Sequence, residues 1–340
     1  MAASLATRLK QIVSKLSKTR VLVIGDLMWD EYVWGECSRV SEEAPVPVVK
    51  INREERVPGG ATNVLKNLHD LNVGTGIIGV VGADKGGREM IRELNKWNLK
   101  MVQIWESPDR PTISKMRILA RNQQVVRLDR EETHAISKNM ENRILKHLEQ
   151  NIKSFDAIIL SDYDKGMFTP NLIKGIISIA RANKVYTAVD PQVRLFKQYV
   201  GADLMTPNEK EAAGGMQVDK PAKESEVKKL GEQIKKELNL TELIITRSAK
   251  GMALFSEKDK SPIYVPAVAR EVYDVSGAGD TVVAVYTAAL ASGARPLDAA
   301  ILATLASGVV VGKLGTASIK RKELQAMINA EHIKKVAVKE

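Results

Sequence analysis

The chain is organised around the stretch DVSGAGDTVVAV, residues 274–285. Its three small residues, Gly277, Ala278 and Gly279, allow the backbone to turn sharply and to approach a ligand closely. The apolar run behind them predicts a helix, and the free N–H groups of its first turn would attract an anion. Asp280 lies at the mouth of this site, where its carboxylate could take a proton from a substrate hydroxyl. The stretch therefore predicts an anion hole beside a catalytic base; the simpler alternative is an ordinary N-cap in which Asp280 only favours the helix dipole.

The composition indicates a globular protein that favours anionic ligands. Hydrophobic residues make up 44% of the 340 residues, and the formal net charge is +10. Lysine is spread along the whole chain, and no arginine-rich tract is interleaved with aromatic residues, so we expect no nucleic-acid partner. The single cysteine, Cys37, excludes an internal disulfide bond and fits the reducing cytoplasm, where we expect the protein to be located.

The sequence has no recognisable export signal and no apolar run long enough to span a bilayer. Residues 2–18 have the spacing of a short amphipathic helix, which we expect to pack on the domain although its composition resembles that of a targeting helix. The longest apolar run, residues 299–312, is too short to cross a membrane. We therefore expect a soluble protein without a membrane partner.

Short apolar runs typical of buried strands alternate with helical patterns along most of the chain. The expected strands are residues 21–24, 77–81, 157–160, 185–189 and 243–246. The expected helices are one that opens at residues 59–63 and others at residues 136–152, 171–182 and 227–238. This alternation predicts an α/β fold, a doubly wound and mostly parallel sheet with helices on both faces. Ligands of such sheets bind beyond the carboxyl ends of the strands.

Two segments, residues 32–58 and 101–130, break this alternation. Both lack helical periodicity, and within the second one residues 112–120 and 124–129 resemble two strands joined near residues 121–123. Together the two segments could form a small antiparallel sheet, a β lid that covers the active site and excludes water. A pair of decorated surface loops is the alternative.

Polar residues follow the first strand and the first glycine pair. Asp26 and Asp30 come after the strand, and Asn63 lies just behind Gly59 and Gly60. Short carboxylate and amide side chains are natural partners for the vicinal hydroxyls of a sugar. A lone aspartate in such a place is more often a cap or a turn residue, but two of them near this turn favour a substrate site.

A second set of polar residues lies at the ends of later strands. Asp190 ends one strand, and Asn208 and Glu211 follow the next at a spacing that places them on one face of a helix. Such oxygen ligands could hold Mg²⁺ directly or through water. The alternative is an ordinary capping box.

The loop after the strand at residues 243–246 is a third candidate for contact with phosphate. It contains Thr246, Ser248 and Gly251, all small residues. No Walker A sequence occurs in the chain, so a phosphate grip must come from loops and helix termini of another kind.

Taken together, these motifs occur in the order found in the ribokinase-like sugar kinases, also called the PfkB family, which the chain resembles over nearly its full length. The motifs are Gly59-Gly60 with Asn63, Asn208 with Glu211, residues 246–251 and residues 277–280. The family usually has threonine where this chain has Val275, which lies outside the small-residue core. The resemblance implies ATP as phosphoryl donor, with Mg²⁺ and the nucleotide phosphates organised by Asn208 and Glu211.

The same resemblance implies roles for the residues of the organising stretch. Asp280 would be the general base, and the backbone amides of Gly277, Ala278 and Gly279 would form the anion hole, in keeping with phosphoryl transfer by positioning and charge stabilisation. In the wider family the loop that corresponds to Asp274 can help to bind a monovalent cation. A structural cap of the turn is the alternative for Asp274, and we favour it.

Longer stretches resemble the heptose-phosphate kinases of lipopolysaccharide core synthesis. They are residues 38–49, 115–124, 125–129 and 160–166. This resemblance implies phosphorylation of the anomeric 1-hydroxyl of D-glycero-β-D-manno-heptose 7-phosphate, in the pathway to ADP-heptose. Many members carry a nucleotidyltransferase domain after the kinase; because the sequence ends soon after residue 316, we expect residues 1–340 to form a single, stand-alone kinase domain.

A sugar that already carries a phosphate requires a cationic pocket away from the transfer site. The lid segment supplies Lys115, Arg117, Arg121 and Arg127, with Asn122 as a further substrate contact. In an extended strand Lys115 and Arg117 project to the same face, and arginine can bind phosphate with two hydrogen bonds. The alternative is a solvated basic edge strand whose charge prevents unwanted pairing.

Three further expectations concern partners and competing functions. Lids of related kinases pair between two subunits, so the resemblance implies a homodimer through the β lid. The same scaffold could instead phosphorylate another sugar or a nucleoside. A non-catalytic protein that only binds sugar or nucleotide is a different class, and the intact stretch from Gly277 to Asp280 argues against it.

Overall fold

The computed structural model describes residues 2–120, 123–257, 259, 261–268, 274–313 and 315–336. The strands of this part are β1 (Arg20–Gly25), β2 (Leu27–Val40), β3 (Pro47–Gly60), β4 (Gly74–Gly82), β5 (Met101–Ser107), β6 (Ile113–Ala120), β7 (Gln123–Arg130), β8 (Ala157–Ser161), β9 (Tyr186–Asp190), β10 (Leu204–Met205), β11 (Glu242–Thr246), β12 (Met252–Phe255) and β13 (Ile263–Val265). Its α-helices are α1 (Ala2–Lys15), α2 (Ala61–Asp70), α3 (Lys85–Asn95), α4 (Lys138–Asn151), α5 (Pro170–Ala182), α6 (Glu209–Met216), α7 (Glu224–Glu237), α8 (Ala278–Ala291), α9 (Pro296–Val310), α10 (Arg321–Met327) and α11 (Ala330–Val336).

The main sheet has nine strands in the order β13-β12-β11-β10-β9-β8-β1-β4-β5. Neighbours from β11 to β5 pair in parallel, whereas β12 and β13 add antiparallel pairs at one edge. From β1 the chain builds first towards β4 and β5 and later towards β8 to β11. The strand order therefore reverses between β1 and β8, which is where such sheets bind their ligands. The predicted doubly wound, mostly parallel sheet is confirmed.

Helices cover both faces of this sheet because its central strands are apolar on both sides. In β1 the residues from Val21 to Ile24 are fully buried. Val21 and Val23 belong to the core cluster that includes residues of α1, α2, α8 and α9. Leu22 and Ile24 belong to the opposite cluster, with residues of α4, α5 and α7. Truncating one such residue, as in Ile24→Ala, would cost about 2–5 kcal/mol of stability.

Four strands form a second, smaller sheet in the order β3-β2-β6-β7. We refer to this sheet as the lid. The pairs β2–β3 and β6–β7 are antiparallel, but β2 and β6 are parallel, so the sheet is mixed and not antiparallel as expected. The reason is that β2 and β6 each follow a strand of the main sheet, β1 and β5. Because β1 and β5 run in the same direction, both lid strands start from the carboxyl ends of main-sheet strands and run parallel to each other.

The expectation that all of residues 101–130 belong to the lid is wrong for their first part. β5 pairs with β4 in the main sheet from Met101 to Ser107. As the edge strand it is only partly covered, so it lacks the continuous apolar run of a central strand. A strand of this kind cannot be distinguished from a lid strand by its sequence pattern.

The most apolar helices owe their composition to burial in the protein core. α9 and α8 pack against each other, and every residue of α9 from Asp298 to Ala306 is buried. Within the described residues, no helix is both long and apolar enough to cross a membrane.

Candidate active site

The organising stretch forms a sharp turn that starts helix α8. Gly277 is the N-cap residue and has φ of 80°, a left-handed conformation that glycine adopts without strain. A Cβ atom on Gly277 would lie 2.5 Å from the Nδ2 atom of Asn63. Glycine is therefore required here both by the backbone angle and by the side chain packed against it.

Asp280 lies in the first turn of α8 and is only 6% exposed. Its Oδ2 atom accepts a hydrogen bond from Asn63 Nδ2 at 2.6 Å, and its Oδ1 atom accepts one from the Tyr163 hydroxyl at 2.5 Å. Burial raises the pKa of the Asp280 carboxyl, and the two hydrogen bonds partly oppose this effect. A buried carboxylate with a raised pKa can serve as a base near neutral pH.

The three amides predicted for the anion hole differ in their hydrogen bonding. The N–H of Ala278 donates to the carbonyl of Val275 at 3.2 Å. Among the described residues no protein acceptor is paired with the N–H of Gly277 or of Gly279. A Cβ atom on Gly279 would meet nothing within 4 Å, so this residue borders open space. The geometry favours the N–H groups of Gly277 and Gly279 as hydrogen-bond donors to an anion. That the N–H of Ala278 also contacts the anion stays a prediction.

Two adjoining cavities meet at this turn. The smaller one, of about 220 Å³, is polar and is lined by Asp280, Tyr163, Asp190, Thr206 and Glu211 among others. The larger one, of about 510 Å³, has an apolar wall that includes Met252, Val268, Val282 and Val311. Asn208, Thr246 and Gly279 line both cavities. The larger volume is typical of a small-molecule or cofactor pocket.

The loop predicted to contact phosphate borders the larger cavity. Thr246, Ser248 and Gly251 all line it, together with Lys210 and Lys220. These three of the six residues predicted for the nucleotide site are thus brought to one place by the end of β11 and the turn that follows it.

Asn208 and Glu211 form the capping box that the sequence analysis gave as the alternative. Asn208 Oδ1 accepts from the N–H groups of Lys210 and Glu211, both at 2.9 Å, and Glu211 Oε2 accepts from the N–H of Asn208 at 2.9 Å. In the described part of the chain, no group of three or more His, Cys, Asp or Glu residues could hold a metal ion. The pair therefore does not form an all-protein metal cage. The side-chain oxygen that is left, Glu211 Oε1, suits a Mg²⁺ ion that keeps waters and is held mainly by substrate phosphates.

Carboxyl groups are crowded around the smaller cavity, which Asp190, Glu211 and Asp280 all line. The Asp190 carboxyl accepts a hydrogen bond from Thr206 Oγ1 at 3.1 Å. Burial, followed by the charges of Asp280 and Glu211, raises the pKa of Asp190 well above its usual range. A cation in this cavity would relieve that repulsion, so the donor set fits a Mg²⁺–nucleotide complex.

Asp26, which the sequence analysis assigned to the sugar hydroxyls, is bonded to protein backbone. Its carboxylate accepts from the N–H groups of Tyr163 at 2.9 Å, Lys165 at 3.3 Å and Met167 at 3.1 Å. Burial, together with the nearby charge of Asp162, raises the pKa of Asp26 to about 6. Asp26 thus holds the loop after β8 against the end of β1, across the switch point of the sheet. Contact of Asp26 with a sugar stays a prediction.

Asp30 and the glycine pair lie beside each other where the lid leaves the main sheet. Asp30 is 4% exposed, and Arg117 donates to its Oδ1 atom at 2.6 Å. A Cβ atom on Gly59 would come within 2.0 Å of Asp30 Oδ2. Gly60 has φ of 61° and starts α2, the helix that carries Asn63. The glycines therefore allow Asp30 and Asn63 to approach the same region.

The predicted lid cations have different environments. Arg127 is paired with Asp129 at the exposed surface, with both hydrogen bonds at 2.9 Å, and Arg117 is paired with Asp30. The Lys115 ammonium lies 5.7 Å from the ring centre of Tyr163, and within the described residues it takes part in no ion pair. Burial and the charge of Lys165 lower the pKa of Lys115. Arg121 and Asn122 lie outside the described residues.

Tyr163 is the main site residue that the sequence analysis missed. It belongs to residues 160–166, a stretch with a family resemblance, and it follows β8 by two positions. A polar residue just beyond a buried parallel strand is a signal that could have singled it out. Its partner Asp280 is 117 positions away, so the contact depends on the fold.

Asp274 has the structural position that we favoured for it. Its Oδ1 atom accepts from the N–H of Ser276 at 2.8 Å, and its Oδ2 atom accepts from the N–H of Gly315 at 3.2 Å. The carboxylate therefore ties the turn before α8 to the segment after α9.

Comparison with solved structures gives the same fold at low sequence identity. Ribokinase of Arabidopsis thaliana, complexed with ribose and ATP, has a TM-score of 0.70 and 17% identity, covering 91% of this chain and 98% of that one. Phosphofructokinase-2 of Escherichia coli, in complex with potassium, has a TM-score of 0.76 and 15% identity, covering 93% and 99%. At such identities the likeness establishes the fold alone.

Closer relatives are found by sequence. Bifunctional protein HldE of Geobacter metallireducens is 42% identical over 313 residues, which are 92% of this chain and 63% of that protein. The protein of the same name from Wolinella succinogenes is 41% identical over 323 residues, 94% of this chain and 67% of that protein. The chain thus spans about two-thirds of the length of these relatives. Residues 18–323 match the family model described as pfkB family carbohydrate kinase. The chain belongs to the pfkB family of carbohydrate kinases.

Proposed function

We propose that this kinase transfers the γ-phosphate of ATP to the anomeric 1-hydroxyl of D-glycero-β-D-manno-heptose 7-phosphate, giving the 1,7-bisphosphate used for ADP-heptose and lipopolysaccharide core synthesis. The observation that carries the proposal is the position of Asp280, a buried carboxylate at a helix N-terminus where a polar and an apolar cavity meet. The resemblance of residues 38–49, 115–129 and 160–166 to heptose-phosphate kinases supports the choice of sugar. We further propose that residues 1–340 act as one kinase unit and that it works in the cytoplasm, where ATP is supplied.

In this proposal each cavity receives one substrate. ATP occupies the larger cavity, with its base against the apolar wall and its phosphates near Thr246, Ser248 and Gly251. The sugar hydroxyl enters beside Asp280, which accepts its proton as the oxygen attacks the γ-phosphorus. The free N–H groups of Gly277 and Gly279, at the positive end of α8, bind the charge on the transferring group. Mg²⁺, held near Asn208 and Glu211 through water, would neutralise phosphate charge.

The lid supplies the contact with the phosphate that the sugar already carries. Lys115 is the lid cation best suited to it, because Arg117 and Arg127 already have carboxylate partners. Lys115 is partly buried beside Lys165, which is itself paired with Glu131 at 2.8 Å, and the charges of Asp30, Glu131 and Asp129 also act on Lys115. A phosphate would give Lys115 a direct anionic partner. Arg117 would act by holding Asp30 in place.

The test of the proposed function is an assay of ADP release with Mg-ATP and a panel of acceptors. The panel contains D-glycero-β-D-manno-heptose 7-phosphate, the same heptose without phosphate, other sugar phosphates, ribose and adenosine. We expect turnover to be fastest with the heptose 7-phosphate, and Lys115→Met to raise the KM for that acceptor about tenfold or more. A preference for an unphosphorylated sugar or a nucleoside would contradict both the substrate and the role of Lys115.

We also propose that two copies of the chain associate through the lid. Every residue of β7 is exposed, which leaves the sheet uncovered on that side. The lid and its connecting loop carry six of the exposed large hydrophobic residues: Val40, Val46, Ile51, Val125, Val126 and Leu128. Such a concentration is typical of an interaction surface.

The test of the dimer is sedimentation equilibrium. The parent protein should be a dimer, and the double variant Ile51→Asp, Leu128→Asp should be a monomer. A monomeric parent protein would refute this proposal.

A further inference from the structure

The base candidate Asp280 is held from two sides by side chains that come from distant parts of the chain. Asn63 of α2 donates to one carboxylate oxygen at 2.6 Å, and the Tyr163 hydroxyl donates to the other at 2.5 Å. A carboxylate offers about four lone-pair positions, so both oxygens keep acceptor capacity for a substrate hydroxyl. Tyr163 also lines the smaller cavity next to Asp280.

Tyr163 is fixed in place by its own backbone and by its neighbours. Its N–H donates to Asp26 Oδ2 at 2.9 Å, which ties it to the end of β1. The residue before it, Asp162, is 3% exposed and accepts from the Tyr199 hydroxyl at 2.8 Å and from the N–H of Asp164 at 2.8 Å. Because Tyr163 is anchored in this way, its side chain can fix the orientation of the Asp280 carboxylate.

Groups of both signs face Asp280 from the surrounding elements. Asp30 from the lid raises its pKa, and Lys115 from the lid lowers it. Asp190, at the end of β9, faces the same carboxylate. The hydrogen bond from Tyr163 lowers the pKa of Asp280, more strongly than the one from Asn63. Burial and the neighbouring carboxylates raise the pKa of Tyr163 well above its usual value, so its hydroxyl keeps its proton and remains a donor.

We propose that Tyr163 is a positioning residue for phosphoryl transfer, whose hydroxyl holds the Asp280 carboxylate in the orientation that receives the proton of the substrate hydroxyl. This inference rests on the proposed role of Asp280. In the reaction the acceptor O–H bond breaks and its proton moves to Asp280. The acceptor oxygen forms a bond to the γ-phosphorus while the bond between that phosphorus and the ADP oxygen breaks. Tyr163 gains and loses no proton.

The first test compares Tyr163→Phe with Tyr286→Phe, a matched control on α8. Tyr286 is a fully buried tyrosine that donates to a buried carboxylate, that of Glu242, at 2.6 Å. With Mg-ATP and the heptose 7-phosphate, Tyr163→Phe should lower kcat about tenfold at neutral pH and leave the KM for ATP within about twofold. The acidic limb of its kcat–pH profile should move up by about 1 pH unit. Tyr286→Phe should lower the melting temperature without moving that limb. An unshifted limb in Tyr163→Phe would overturn the proposal.

A second measurement does not depend on the substrate. The carboxyl carbons of aspartate can be labelled with ¹³C and titrated by NMR, with Asp280→Asn identifying the signal of Asp280. Tyr163→Phe should raise the titration midpoint of that signal, whereas replacing Tyr163 by 3-fluorotyrosine, a stronger donor, should lower it. Unchanged midpoints in both variants would reject the positioning role. Absence of turnover in the parent protein with every acceptor would instead reject the proposed function, so the two failures are distinguishable.

Discussion

Two buried carboxylates accept hydrogen bonds from tyrosine hydroxyls at opposite ends of the main sheet. At the carboxyl end, Asp280 accepts from Tyr163 and from Asn63. At the amino end, Glu242 accepts from Tyr286 at 2.6 Å and from Tyr186 at 3.1 Å. Burial raises the pKa of both carboxyl groups.

The two sites differ in what else surrounds the carboxylate. Asp280 adjoins a cavity, the N-terminus of α8 and the amides of Gly277 and Gly279, which have no acceptor within the part of the chain that the structure describes. Glu242 lines none of the cavities described above, and both of its tyrosines are themselves at least partly buried. The comparison teaches that a buried tyrosine–carboxylate pair is not in itself a functional signal. Open volume and unpaired donors among the described residues distinguish the proposed reactive site at Asp280 from the structural pair at Glu242.

The largest effect that would test this contrast is a loss of turnover. Asp280→Asn should reduce kcat by a factor of about 10² to 10⁴, because the variant lacks a base but keeps the shape of the side chain. Glu242→Gln, which makes the matching change at the closed end, should stay within about threefold of the parent kcat because it is remote from the reacting groups. Steady-state ADP release and ATP titration by calorimetry measure both. Normal turnover in Asp280→Asn would show that Asp280 is not the catalytic base.

The free energy of unfolding should be affected in the opposite order, with a larger loss for a change at Glu242 than for one at Asp280. Glu242→Ala leaves two tyrosine hydroxyls unpaired in a closed environment and should cost about 2–5 kcal/mol in the free energy of unfolding. Asp280→Asn removes a charge that burial disfavours, so it should leave stability unchanged or raise it by about 1 kcal/mol. Urea unfolding followed by circular dichroism compares the two. Equal losses at both ends would contradict the contrast.

Asp26 provides a pH-dependent test at the reactive end. Burial and the nearby charge of Asp162 raise the pKa of Asp26 to about 6 in the folded protein, above the usual aspartate value of about 4, so the folded state binds the proton more tightly than the unfolded state does. Its contribution to stability is therefore present below about pH 4 and lost as the pH rises through 6, a change of about 3 kcal/mol. The unfolding free energy of the parent protein minus that of Asp26→Asn should fall over this interval. A difference that stays constant with pH would show that Asp26 has an ordinary pKa.

The smallest effect concerns the two glycines of the turn. Gly277→Ala should lower kcat about 10- to 100-fold, because the added methyl group displaces Asn63 from Asp280 and the backbone angle is strained. Gly279→Ala keeps its N–H and meets no atom within 4 Å, so its loss should be several times smaller. Kinetic assays of the two variants side by side provide the check. The reverse order would indicate that open space at Gly279, and not the Asn63 contact, controls catalysis.

The fold was predictable from the sequence for the central strands, which helices cover on both faces. The runs at residues 21–24 and 157–160 are continuous and apolar, and the structure extends them only by a residue or two, to Arg20–Gly25 and Ala157–Ser161. β5 was misplaced because, as an edge strand, it is only partly covered and lacks a continuous apolar run. The parallel pairing of β2 and β6 was missed because it depends on the direction in which two remote strands leave the sheet.

The site was predictable to the extent that single residues reveal chemistry. Gly277 and Asp280 were identifiable from a small-residue turn ahead of an apolar helix. The partners of Asp26 were not, since three backbone N–H groups from residues 163–167 leave no mark in the sequence. The position of Tyr163 just beyond a buried strand was a usable signal, but its contact with Asp280 depends on the fold, in which β8 lies beside β1.

The anchoring of the loop after β8 by Asp26 has a consequence for engineering. Lid strand β2 begins one residue after Asp26, whereas the pair Asp30–Arg117 lies wholly within the lid. The lid therefore joins the rest of the chain at several places, among them Asp26, just before β2, and Gly60, where β3 runs directly into α2. On the proposed role of the lid, its strands could be exchanged for those of another family member to change the acceptor sugar. Keeping Asp26 at the first junction would preserve its hydrogen bond to Tyr163 and, through Tyr163, the contact with Asp280.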